Sequence, residues 1–79
     1  MTRSIFSERY RSLCRLLVET RESRRLTQAE VAKRLQRPQS FVSKYESGER
    51  RLDVVEFLEV AEALGVNAQR LMSKSYRQG

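Results

Sequence analysis

The residues here that could do chemistry are hydrogen-bonders, not proton movers. Gln39, Ser40, Ser43, Lys44 and Ser47 fall within one short stretch, and none of the five is a carboxylate. Amide, hydroxyl and ammonium groups of this kind find matching partners on base edges and phosphates in a major groove. The bland alternative is an ordinary solvated helix face. Covalent chemistry has little to work with. The chain has no His, no nucleophile beside a base and no glycine loop to cradle a phosphate, so an enzyme is not expected. One cysteine, Cys14, cannot make an internal disulfide, and without histidine there is no zinc set. No metal or cofactor is expected, and Cys14 reads as a small, at least half-buried apolar residue.

The five polar residues project together only if Val42 and Tyr45 point inward, which requires a helix beginning near Pro38 or Gln39. Pro38 disfavours helical geometry at Arg37 and is welcome in the first turn of a new helix. Before it, Thr27-x-x-Glu30 is a capping-box pattern that starts another helix at Thr27. Val31, Ala32 and Leu35 form its buried face, with Ala32 small enough for close approach of a neighbour. Two helices of about nine residues with a short break match a helix-turn-helix unit.

The rest of the chain must support that pair. A first helix is predicted from Ser7 or Glu8 to about Arg24, with Tyr10, Leu13, Cys14 and Leu17 on its stripe and Phe6 at the edge. Arg21 falls four residues after Leu17 on that stripe, where a charge needs a partner or the core's edge. Leu26 plugs the gap to the second helix. Gly48 suits the left-handed end of the third, and Glu49 to Leu52 form a loop. Asp53 caps a fourth helix with Val54, Phe57, Val60, Ala61 and Leu64 inside and Glu56, Glu59 and Glu62 outside. Gly65 ends it, and Asn67 caps a short fifth helix bearing Leu71 and Met72. Residues 1–6 read as a flexible arm and 73–79 as a polar tail. The expectation is an all-α, five-helix, single domain over 1–79, with its core at about 7–73.

The chain has 79 residues and 39% hydrophobic content, enough for one small core. Its net charge is +6. That charge is uneven: residues 1–51 hold 13 basic and 6 acidic side chains, whereas 52–79 hold 3 and 4. A basic excess on the part carrying the two-helix unit is the footprint expected for a phosphate backbone. No apolar run approaches the roughly 20 residues of a membrane span, and the start lacks a secretory core, so a cytosolic location is expected.

These residues resemble the lambda-repressor-like (Cro/repressor, XRE) family of helix-turn-helix DNA-binding regulators, over about 13–72. The pieces that carry the likeness are Arg21, Leu26-Thr27-Gln28-Ala29-Glu30-Val31-Ala32, Val42-Ser43-Lys44-Tyr45-Glu46-Ser47-Gly48-Glu49-Arg50 and Val60-Ala61-Glu62-Ala63-Leu64-Gly65-Val66. The stretch from Arg37 to Glu46 looks like a phage-associated bacterial branch. The resemblance implies that helix 3 enters the major groove, with Gln39, Ser40, Ser43 and Lys44 reading bases. It implies backbone contacts from Gln28, Thr27, Arg37, Ser47, Arg50 and Arg51, with Gln28 also bracing helix 3. It further implies an ion pair between Arg21 and Glu46. Arg25 and Gln36 depart from the family by replacing common glycines, so either they take positive φ or the links differ. Pro38 takes the usual cap position without a side-chain acceptor, and Phe41 either packs under the loop after helix 3 or touches a thymine methyl group.

The leading expectation is a sequence-specific double-stranded DNA-binding transcription regulator, a repressor, acting as a homodimer on a two-fold symmetric operator. One recognition helix reads only a few base pairs, so two half-sites are needed. Val66, Leu71, Met72 and Tyr76 are expected at the dimer interface, Leu71 equally suiting a helix 5 that merely covers helix 1. An antitoxin with a toxin partner and a restriction-modification controller remain open. The rival from another class is a protein-interaction or RNA-binding adaptor docking through Glu56, Glu59 and Glu62.

Overall fold

Caps decide where these helices begin and end. In the computed structural model, which describes residues 7–78 with side chains through Tyr76, five helices follow one another: α1 (Glu8–Ser23), α2 (Gln28–Leu35), α3 (Gln39–Ser47), α4 (Val54–Leu64) and α5 (Ala68–Gln78). No strand occurs among the described residues. Ser7 caps α1 by accepting from the Tyr10 N–H, and both α2 and α4 open with complete capping boxes, Thr27 with Glu30 and Asp53 with Glu56. Pro38 stands at the cap of α3 with no side-chain hydrogen bond. Gly48 and Gly65 close α3 and α4 in the left-handed region. Arg25 and Gln36 also take positive φ, 58° and 59°, so the chain keeps the tight links with non-glycine residues.

The core lies where α1 meets α3 and α5, and α2 meets α3 and α4. Leu17, Val31, Val42, Tyr45, Val60 and Leu64 are fully buried there. Leu16 and Ser12 are buried as well, because α1 is covered on two sides and its inner face is wider than a single stripe. Leu13 and Leu26 pack half-buried against the same core. No described helix is long and apolar enough to cross a membrane.

Four expectations need correction. Val54, expected inside, is 70% exposed in the first turn of α4, whereas Phe57, Val60, Ala61 and Leu64 of the same stripe are buried. Residues 73–78 are helix and not tail: Ser75, four positions past Leu71, is buried on the α5 face that packs toward α1. Leu71 is only 4% exposed and belongs to the core, so it offers no surface to a second chain. Glu56 is buried instead of lying on the outer stripe with Glu59 and Glu62. The expected arm at 1–6, including Phe6, lies outside the described residues.

Candidate nucleic-acid interface

Burial of Val42 and Tyr45 sets the orientation of α3, and it leaves Gln39, Ser40, Ser43, Lys44 and Ser47 all exposed. The helix is backed by a polar network that starts at α1. Arg21 Nε donates to Glu46 Oε2 at 2.7 Å and an Arg21 terminal nitrogen to Glu46 Oε1 at 3.2 Å, while the other terminal nitrogen holds the Leu26 carbonyl at 2.8 Å. Glu46 is 6% exposed and Arg21 13%, so the pair is largely out of water, and the bond to Glu46 pushes Arg21 further up from its already high range. Gln28 Nε2 donates to the same Glu46 carboxylate at 2.8 Å, and its Oε1 accepts from Gln39 Nε2 at 3.4 Å. One carboxylate thus ties α1, the start of α2 and α3 together, and it orders Gln39 through Gln28.

The loop after α3 is pinned from the other side. Tyr10 Oη donates to the Arg50 carbonyl at 3.3 Å and accepts from the Leu52 N–H at 3.1 Å. Burial pushes this phenol up, as it does the Cys14 thiol, whose Sγ donates to the Tyr45 carbonyl at 3.3 Å. Phe41 is 7% exposed and sits edge-on to Tyr45, so it packs inward, with Arg50 of the loop over its ring. Among the described residues no cluster of side chains could hold a metal ion.

A helix-turn-helix family model matches residues 17–71, which spans both motif helices and their supports. An XRE-family like protein from Pseudomonas syringae pv. tomato str. DC3000 is 48% identical over 89% of this chain and 85% of its own, with a TM-score of 0.85. The chain belongs to the XRE family of helix-turn-helix DNA-binding regulators. The restriction-modification controller protein C.AhdI from Aeromonas hydrophila superposes with a TM-score of 0.73 at 27% identity, covering 78% of this chain and 94% of that one. A point mutant of the restriction-modification controller protein C.Esp1396I has a TM-score of 0.83 over 91% of each chain, and at 17% identity this shows shared fold alone. No curated protein matches the chain.

In this XRE-family chain several of the cations and hydroxyls around α3 are already engaged. The Thr27 hydroxyl accepts from the Glu30 N–H at 3.0 Å in the capping box. Ser47 Oγ donates to the Lys44 carbonyl at 3.1 Å and lies 3.2 Å from Glu49 Oε2, which puts a carboxylate beside it. Ser43 Oγ donates to the Ser40 carbonyl at 3.3 Å. Arg51 stacks 4.5 Å over the Tyr10 ring and keeps its head exposed. Arg50 makes a two-point bond to Glu56, 2.9 Å at each nitrogen, and Arg37 approaches the same carboxylate at 3.7 Å. Sequence reasoning missed this last cluster, although Asp53-x-x-Glu56 repeats the box pattern read at Thr27.

Proposed function

We propose that this XRE-family regulator binds double-stranded DNA sequence-specifically and represses transcription as a homodimer on a two-fold symmetric operator. The observation that carries this is the clean outer face of α3: Gln39, Ser40, Ser43 and Lys44 stand exposed on a helix whose other side is locked by Val42 and Tyr45. Amides, hydroxyls and an ammonium on a rigid helix match base edges. Thr27 and Gln28 at the start of α2, Ser47 at the end of α3, and Arg37, Arg50 and Arg51 flank that face as backbone contacts.

The dimer surface we assign differs from the one the sequence suggested. Leu71 is interior and Val66 is half-buried against the core, which leaves Met72 and Tyr76 of that set exposed on α5, the latter with Arg9 4.6 Å over its ring. Val54, Val55 and Leu58 form a larger exposed apolar set on one side of α4. They follow the loop that leaves α3, and a second copy docked there would have to set two α3 helices side by side on one face of a duplex, as half-sites one helical turn apart require. Selection of bound duplexes from random DNA tests the reading: two half-sites about one turn apart are expected, and preference for single-stranded RNA over every duplex would overturn it.

A restriction-modification controller is a second reading, favoured by the likeness to C.AhdI. The genes beside this one decide it.

A further inference from the structure

Arg37 precedes α3 and Arg50 follows it, yet their guanidinium carbons lie 4.4 and 4.8 Å from the centroid of one ring, Phe41. Both also reach one carboxylate, because Arg50 holds Glu56 at two points and Arg37 lies 3.7 Å from the same Oε2. Glu56 is itself anchored in the first turn of α4 by accepting the Asp53 N–H at 3.0 Å. Long cationic side chains lose rotamer freedom when they meet a phosphate. These two have already lost much of it. Their donors are not exhausted: the Arg37 and Arg50 side chains remain 37% and 39% exposed, and each guanidinium carries five N–H groups. Two guanidinium groups meet one carboxylate at the ring, with Asp53 acting on Arg50 from the cap of α4.

We infer that Glu56 is a positioning residue for DNA binding, holding Arg37 and Arg50 together on Phe41 as a preset clamp for backbone phosphate. The inference rests on the proposed reading of α3 as a duplex-reading helix. Its sign runs against bare electrostatics. Where net charge alone matters, removing a carboxylate from a phosphate-facing surface tightens binding. Where that carboxylate orders two arginines, the same removal loosens it.

The test is Glu56→Gln in the full chain, titrated against a short random-sequence duplex over a series of salt concentrations, with thermal melting of the free protein alongside. The clamp predicts affinity about tenfold below wild type, the loss of one charge-assisted contact. It also predicts a plot of log affinity against log salt shallower by about one to two, for one or two lost phosphate contacts. A merely structural role moves the melting temperature and leaves that slope alone. Phe41→Leu, which removes the ring but keeps an apolar side chain beneath the loop, is expected to make the slope shallower too. It decides by the same two numbers if Glu56→Gln does not melt cooperatively. Equal or tighter binding by Glu56→Gln with an unchanged slope overturns the clamp and leaves duplex binding standing. A wild-type chain that binds no duplex overturns both.

Discussion

Arg21 on α1 and Glu46 on α3 meet at two points, 2.7 and 3.2 Å, across a sequence separation of 25 residues. A pair this buried contributes little net stability when intact but is costly to break, because the survivor stays desolvated. Arg21→Ala leaves Glu46 with only the Gln28 amide, and a loss of about 3 kcal/mol is expected in urea denaturation. Arg21→Met combined with Glu46→Leu should recover most of it, since both charges then disappear. A double variant as unstable as the single one would show that shape, not desolvated charge, sets the cost.

Glu56 makes acid stability testable. Its bond to Arg50, and next the Asp53 N–H, hold its carboxyl at about 2, below the ordinary 4.5. A folded value below the unfolded one gives stability that is present above about pH 4.5 and lost as pH falls toward 2. Melting temperatures should therefore be level above that window and fall within it, and Glu56→Gln should flatten part of the fall. Glu30, lowered by its capping-box contact with the Thr27 backbone, acts in the same direction and keeps a residual slope. Superimposable acid limbs for wild type and Glu56→Gln would contradict this.

Much of the scaffold behind the candidate interface was legible because local rules and burial agreed there. Thr27-x-x-Glu30 marked a helix start that became a full capping box, and Arg21, a charge on an apolar stripe, announced a partner before one was visible. What escaped was polar and inward. Glu56 falls in helical step with Glu59 and Glu62, so periodicity placed it outside, whereas its capping-box bonds and two arginines draw it in. Ser75 escaped because a small buried hydroxyl adds nothing to an apolar pattern, which cut α5 short. The left-handed Arg25 and Gln36 were undecidable locally, since either residue can sit in an ordinary turn as easily as a strained one.

That strain can be relieved. Gln36 closes α2 at φ 59°, ψ 43°, a region where a Cβ is penalised and glycine is not. Gln36→Gly should stabilise the fold by about 1 kcal/mol net, a rise of about 4–8 °C in melting temperature for a domain this size. An unchanged or lower melting temperature would mean that the extra freedom of glycine in the unfolded chain outweighs the strain.

Leu58 tests the dimer surface without touching the core. It is half exposed between Val54 and the acidic Glu59 and Glu62 side of α4. Leu58→Arg places a charge within the apolar set and should make the chain monomeric by sedimentation at concentrations where the proposed wild-type dimer forms. Met72→Glu, on α5, should leave the assembly intact. The opposite pair of outcomes would move the interface to α5.

Lys44 separates base reading from general attraction. Its side chain is exposed on α3, and its ammonium matches the acceptors of a guanine edge as well as a phosphate. Read as a base contact, Lys44→Ala should relax preference at one position of the selected site by about 1–3 kcal/mol and leave the other positions as they were. Read as a phosphate contact, it should weaken every site alike and reduce the salt slope by about one. Folding does not confuse the two outcomes, because an exposed substitution of this kind shifts stability by about 0.5 kcal/mol or less. Uniform weakening would shift base recognition onto Gln39 and Ser40, the residues nearest the start of α3, where Gln28 already holds the Gln39 amide.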